Sequence, residues 1–275
     1  MLTLLLAGGI AVGAGLLVGS GVLTSSTEVG TEGGGEAEAS TSSTTAPPTT
    51  TSTIASTTTT TTPPTTTTTA PPAAAADGTL ELGESGPEVA MLQGRLSELG
   101  FWLGQPDGTY GQLTRQAVMA FQKANGLGRD GRAGPVTLAA LGPAGRPEPV
   151  DPSGNHLEID LDRQLLLVVE GGATRWAINT STGSGEAYAS PGGGTAVATT
   201  PRGSFTIYRQ VDGLREAPLG TLYRPKYFHG GIALHGSGSI PAHPASHGCA
   251  RVTNSAMDLL WGSGLAEVGT PVLVH

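Results

Sequence analysis

Apolar positions along the chain follow three regimes, and each predicts a different kind of structure. Residues 1–23 are apolar or small with no charged side chain, roughly the ~20 residues that a membrane-spanning helix needs. No amphipathic period interrupts that run, which predicts a membrane segment rather than a core helix. From 24 to 77 large apolar residues almost vanish among Thr, Pro, Ser and Gly. Such a composition cannot offset the entropy of ordering, so it predicts a disordered Thr/Pro-rich linker, extended and open to O-glycosylation. Helical spacing begins after Leu80. Val89, Leu92, Leu96 and Leu99 share one face, Pro87 suits a first turn and Gly100 a stop. A second helix is predicted to start at Thr114, to turn Val118 and Phe121 inward and to end at Asn125-Gly126; a third covers Pro135 to Leu141. Together they predict a small three-helix domain over 78–143, which on pattern alone could be a spacer.

Beyond residue 150 the period drops from helical to two. Leu157, Ile159 and Leu161 alternate, an apolar run follows as far as Gly171-Gly172, and Trp176 and Ile178 alternate again. "GSFTIYRQ", "GGIALHG" and "GTPVLVH" read as further short strands between Gly and Pro. One helix is predicted over 253–261, capped by Thr253 or Asn254, with Met257, Leu260 and Trp261 inward. The segment 150–275 is therefore predicted to be a mainly β domain.

Charge narrows the setting. The chain of 275 residues has a net charge of -8, which argues against nucleic acid as a partner. Its first basic residue is Arg95, so nothing beside the apolar segment marks a cytoplasmic flank, and the domains are expected outside the membrane. That segment lacks a basic leader and a small-x-small cleavage site, which favours an anchor over a removed signal.

The chemistry concentrates in "ASHGCARVTN", residues 245–254, which holds the single cysteine, Cys249. An unpaired thiol in an exported chain is inert filler, a metal ligand, an intermolecular bridge or a nucleophile. His247, Gly248 and Arg251 make its surroundings polar and cationic, which argues against filler and predicts a raised thiolate fraction over that of a free thiol, whose pKa is about 8.5. His243, His247 and Cys249 have metal-ligand residue types, and His235 or His229 could complete a zinc set. Pro241, Pro244 and Gly248 disfavour the helix that would bring the H-x3-H pair to one face. For nucleophilic catalysis His235, at the end of the strand "GGIALH", supplies a base, and the N–H groups of Gly248 and Cys249 supply oxyanion donors. His156 and His275 belong to no constellation and are read as ordinary surface residues.

Two resemblances sharpen this reading. Gly86 to Gln93, Asp107 to Gly111 and Ala117 to Gln122 carry the G-x-x-V-x-x-L-Q, D-G-x-[FY]-G and A-V-x-x-F-Q motifs of type-1 peptidoglycan-binding domains, which residues 78–143 resemble end to end. Within them "PDGTYGQLT" is echoed by "RDGRAGPVT". Residues 155–275 resemble the L,D-transpeptidases: "IALHGSGSIPAHPASHGCARVTN" carries a strand histidine followed by S-H-G-C-x-R, and "TGS", "TPRGSFTIY" and "GTPVLV" match around it.

The resemblance implies a β-sandwich-like catalytic domain with no metal or organic cofactor. It implies Cys249 as nucleophile, His235 as general base and acid, Arg251 as a contact to a substrate carboxylate or to the fold, and Ser246 and His247 as shapers of the turn. Gly236 stands where some members have Ser; it keeps the carbonyl that orients the imidazole and leaves any side-chain role in doubt. A short gap from His235 to Ser246 implies a compact lid. The implied reaction is 3→3 cross-linking of peptidoglycan stems in the bacterial envelope, with carbapenem-type β-lactams as inhibitors. Resolution by water would make an L,D-carboxypeptidase, and a non-catalytic wall-binding protein is the alternative from another class.

Overall fold

The computed structural model describes residues 78–275. The predicted membrane segment 1–23 and linker 24–77 lie outside the described residues, and among the described residues no helix is long and apolar enough to cross a membrane. Three helices come first, α1 (Pro87–Glu98), α2 (Gln112–Ala124) and α3 (Pro135–Leu141). Each follows a glycine, Gly86, Gly111 or Gly134, that caps without a side chain. Helix α2 thus begins before Thr114. The Thr114 hydroxyl is buried inside the helical domain, where it accepts from Gln93 Nε2 at 2.9 Å instead of capping.

The echoed sequence is one structural device used twice. Gln93 Nε2 donates to Asp107 Oδ1, the Thr109 carbonyl and Thr114 Oγ1, while Gln93 Oε1 accepts from the Asp107 and Gly108 N–H groups. In the second copy Gln122 Nε2 donates to Asp130 Oδ1, the Arg132 carbonyl and Thr137 Oγ1, and Gln122 Oε1 accepts from the Gly131 N–H. Each buried amide ties an Asp-Gly turn to the helix that follows it and so satisfies the polar groups of that turn.

Twelve strands follow. β1 (His156–Asp160), β2 (Leu165–Glu170) and β3 (Ala173–Asn179) form a meander, and β4 (Ala187–Ala189) and β5 (Thr195–Val197) a separate hairpin. Next come β6 (Gly203–Thr206), β7 (Arg209–Gln210), β8 (Leu214–Ala217), β9 (Gly220–His229), β10 (Ile232–Ser237) and β11 (Ala250–Thr253). Helix α4 (Asn254–Ser263), capped by the Thr253 hydroxyl on the Ala256 N–H, and β12 (Pro271–Val274) close the chain. The first sheet runs β3-β2-β1-β12-β6; the second runs β11-β10-β9-β7, with β8 also on β9.

The predicted single strand "GSFTIYRQ" is two, because the chain changes sheets at Ile207-Tyr208. β6 pairs with β12, the Ile207 N–H donates to the Thr270 carbonyl, and the Tyr208 N–H donates to the Tyr227 carbonyl of the second sheet. The ten-residue β9 was not apparent in the sequence. It contains Pro225, Arg224 takes a φ of 48°, and its alternation includes the fully buried Lys226.

The run Leu165 to Val169 is apolar throughout because β2 is covered on both faces. Leu166 and Val168 pack with Phe228, Leu234 and Val252 of the second sheet and with Met257 and Leu260 of α4. Leu165, Leu167 and Val169 pack with Leu96, Phe101, Val118 and Phe121 of the helical domain. The helical and β domains therefore share a core, although sequence separates them as 78–143 and 150–275. The chain beside Phe101 also closes the outer edge of β3, the Ala177 N–H donating to the Gly100 carbonyl and the Trp102 N–H to the Ala177 carbonyl, which removes an open edge. Lys123 of α2 lies wholly inside this junction. Its ammonium donates to the Gln164 and Thr180 carbonyls and to Asn179 Oδ1, and burial pulls its pKa down to about 7.

Candidate active site

The parallel pairing of β10 with β11 builds the site. Leu234 stands beside Ala250 and His235 beside Arg251; side chains in a strand alternate, so Leu234, Ala250 and Val252 enter the core. His235 and Arg251 take the other face, and both line a cavity of about 690 Å³ together with Cys249. Cys249 precedes β11, so a short strand separates it from α4. Its Sγ lies 3.5 Å from the Ala233 N–H and 4.0 Å from the Gly231 carbonyl.

The turn carrying the thiol is braced on every side. Ser246 Oγ accepts from the Gly248 N–H at 3.0 Å and donates to the Cys249 carbonyl at 2.6 Å. The Gly248 N–H is thereby occupied, while the Cys249 N–H has no acceptor among the described residues. Gly248 has a φ of +132°, and a Cβ there would lie 2.9 Å from the Thr199 carbonyl. Thr200 Oγ1 donates to the Gly248 carbonyl at 2.6 Å. The "TGS" segment runs alongside: the Thr182 carbonyl accepts from the Ala245 and Ser246 N–H groups, and the Ser184 N–H donates to the Ser246 carbonyl. Sequence reasoning missed Thr182 and Thr200 as individual residues, because one acts through its backbone carbonyl and the other through its hydroxyl on a backbone carbonyl, both from a distant part of the chain.

His235 sits within β10, not at its end, and is buried. Its Nδ1 meets the Gly236 carbonyl at 2.8 Å. A carbonyl can only accept, so Nδ1 carries the proton and Nε2 keeps a lone pair. Gly236 cannot hold a side chain here: a Cβ would lie 2.6 Å from Asn254 Oδ1 and 2.8 Å from the Tyr223 ring.

Electrostatics correct the expected thiolate. Burial raises the Cys249 pKa against the lowering pull of the Ala233 N–H and the Arg251 charge. Burial also lowers His235 to about 4, with Arg251 adding to that direction and the Gly236 bond opposing it. The resting pair at neutral pH is thiol and neutral imidazole. Desolvation disfavours both charges more than the polar neighbours restore them.

The lid expectation is also corrected. The cavity is walled by Tyr188 and Val197 from the β4-β5 hairpin and by Arg215 and residues 217–222 of the β8-β9 hairpin. The segment 238–243, between His235 and Ser246, lies instead against α2. Of the other candidate histidines, His247 lines the cysteine cavity with His235, while His229 and His243 lie away from it. His247 meets the Tyr188 ring at 4.7 Å, His229 meets Phe205 at 4.9 Å, and His243 lines the cleft beside α2. Among the described residues no three His, Cys, Asp or Glu side chains gather as metal ligands. His156 is buried, contrary to its surface reading, with Nε2 3.1 Å from the fully buried Glu158; His275 Nε2 approaches the same carboxylate at 3.5 Å, beyond a well-aligned hydrogen bond.

A thiol, an imidazole with a free nitrogen and an arginine line one cavity of a two-sheet domain, and comparison with known proteins says which class of protein carries that arrangement. Residues 154–274 match the family described as L,D-transpeptidase catalytic domain, and residues 85–141 match a peptidoglycan binding domain. The crystal structure of the L,D-transpeptidase from Xylanimonas cellulosilytica is 52% identical, covers 74% of this chain and 100% of that chain, and superposes with a TM-score of 0.70. The chain belongs to the L,D-transpeptidase family.

Shorter similarities reach two curated proteins named as N-acetylmuramoyl-L-alanine amidases. CwlM of Mycobacterium tuberculosis is 48% identical over 56 residues, and CwlL of Bacillus licheniformis is 46% identical over 68. The matched stretches take up 20% and 24% of this chain and span only 14% and 19% of those proteins.

Proposed function

We propose that the chain forms 3→3 cross-links in peptidoglycan through a thioester on Cys249. The observation that carries this reading is the placement of Cys249, His235 and Arg251 on one face of one cavity, with His235 Nε2 unencumbered. Because the pair rests neutral, the thiol proton passes to His235 Nε2 as Sγ attacks the carbonyl of the third residue of a tetrapeptide stem. The Cys249 N–H is the donor free to meet the developing oxyanion. Ser246 and Gly248 hold that donor in place, and the Gly236 carbonyl holds the imidazole. His235 then protonates the amine of the terminal D-alanine as the C–N bond breaks, leaving the thioester. The amine of a second stem attacks, gives its proton to His235, and the departing sulfur takes that proton back. Arg251 supplies positive charge for a stem carboxylate.

The same acylation by a carbapenem-type β-lactam would open its four-membered ring on Sγ. The apolar segment 1–23 and the linker 24–77 would tether the enzyme at the outer membrane face, beside its wall substrate.

The test is incubation of the full chain with a purified tetrapeptide muropeptide, with Cys249→Ala beside it, followed by intact-protein and product mass. A Cys249-dependent acyl adduct and a cross-linked dimer are the expected outcome. Tripeptide alone would mean that water resolves the thioester, and absence of both adduct and product would leave a wall-binding protein.

A further inference from the structure

The arginines of this acidic chain fall into two populations. Arg95, Arg132, Arg163, Arg175, Arg202 and Arg224 each face a carboxylate, and Arg146 spends its guanidinium on the Glu98, Thr174 and Arg175 carbonyls. The others have no carboxylate partner among the described residues, and every one of them lines a cavity. Arg209, Arg215 and Arg251 line the cysteine cavity, with Arg209 also stacked on Tyr227. Arg115 and Arg129 line a second cleft, of about 670 Å³, between α2 and the segment 237–243. In a chain with net charge -8, arginines that form no ion pair are available to an anionic ligand.

The second cleft belongs to both domains. Arg115, Gln116 and Met119 of α2 form one wall and the chain from Ser237 to His243 the other. Gln116 fixes that wall by donating to the Ile240 carbonyl at 3.4 Å and accepting from Asn179 Nδ2 at 2.5 Å. Asp130, the carboxylate in the lining, accepts from Gln122 Nε2 and from the Arg132 N–H; Arg129 makes only a 3.5 Å contact with the Asp162 carbonyl. Ser237 lines the cleft and the cysteine cavity alike. It lies two residues beyond His235 on β10, hence on the same face of the strand.

We propose that this interdomain cleft is a second substrate subsite, which takes the carboxylate-bearing acceptor stem of the wall through Arg115 and Arg129. The inference rests on the cross-linking reading. That reaction needs two stems at once, and the donor must occupy the cysteine cavity because its carbonyl meets Sγ. A stem entering along Ser237 brings its amine past His235, the group that must receive the amine's proton. The helical domain thus contributes side chains to the acceptor's path as well as grip on the wall.

Binding to the full chain carrying Cys249→Ala tests the subsite without any turnover. Calorimetric titration with a disaccharide-tetrapeptide should show two stems per chain, and one in Arg115→Gln/Arg129→Gln. The remaining site should keep its affinity, while the lost one weakens at least about tenfold, as removal of charge-assisted hydrogen bonds implies. Arg115→Lys/Arg129→Lys should recover part of that loss, and a stem with amidated carboxylates should bind the unsubstituted cleft as weakly as the Gln variant binds the free acid. In the active enzyme the Gln variant should acylate on Cys249 at the normal rate and show a raised KM for the acceptor alone.

One binding site in every variant would overturn the proposal, as would equal losses at both sites or a lowered melting temperature in the Gln variant that the Lys variant shares. Failure of Cys249 to acylate in the unsubstituted chain would instead sink the cross-linking reading, whatever the titration shows.

Discussion

At Cys249 and His235, burial outweighs the charged neighbourhood that the sequence advertises. The printed order of residues places His247 and Arg251 beside the thiol, but His247 turns to Tyr188 and the Arg251 charge is the smaller influence on Cys249. Two consequences are measurable. The profile of kcat/KM against pH should hold its acid limb near pH 4, where His235 titrates, and its alkaline limb above the ordinary thiol range. Stability should follow the same imidazole. His235 titrates at 6.5 when unfolded and about 4 when folded, so as pH falls from 6.5 to 4 the unfolded chain takes up a proton that the folded chain refuses. Stability on the order of 3 kcal/mol is lost across that window. Urea titrations at pH 7 and pH 4.5 should show most of this loss, and His235→Gln should lack it.

Among the elements, the paired glutamine devices explain why a small helical domain with two Asp-Gly turns holds its shape. Gln122→Leu keeps volume but leaves Thr137 Oγ1, Asp130 and the Gly131 N–H without the partner they have now. Buried groups left unsatisfied cost roughly 1–3 kcal/mol each, so the urea midpoint should fall by an amount equivalent to at least about 2 kcal/mol. The motif positions of this domain were legible because Val89, Leu92, Val118 and Phe121 repeat at helical spacing and because the Asp-Gly echo is visible by eye. The start of α2 was misplaced for a physical reason: Thr114 has the chemistry of a cap, and a tertiary partner, Gln93, had the stronger claim. In the β domain, strands with clear alternation were legible, as were Cys249, His235 and the cap of α4. β4, β5 and β8 were not, because their small or exposed residues bury almost nothing. Those strands wall the cysteine cavity, so the shape of the site was hidden even where its candidate residues stood out.

For the molecule as a whole, the shared core is the feature that composition could not reveal. A change in hydrophobic period at residue 150 marks a boundary in sequence, yet Leu165, Leu167 and Val169 cross it to pack with Phe101 and Phe121. Residues 78–275 should therefore unfold in one transition, with tryptophan fluorescence and far-UV circular dichroism coinciding. Lys123 provides a sharper check, since it lies at the junction and titrates at about 7 folded against 10.5 unfolded. Between pH 7 and about 9.5 the unfolded chain holds a proton that the folded chain has given up, so this lysine makes stability rise with pH. The difference in unfolding free energy between the native chain and Lys123→Met should change by about 1.4 kcal/mol per pH unit in that range. A flat difference would mean that Lys123 stays charged in the fold.

The protonated resting state of Cys249 also bears on durability. Peroxides and foreign disulfides react with thiolates, far more slowly with thiols, and this chain has a single, partly buried sulfhydryl. In the proposed reaction that proton stays until an imidazole nitrogen removes it during attack, so the sulfur would be corroded slowly between turnovers. Burial, which costs the site its standing thiolate, lengthens the working life of an enzyme that has no spare thiol.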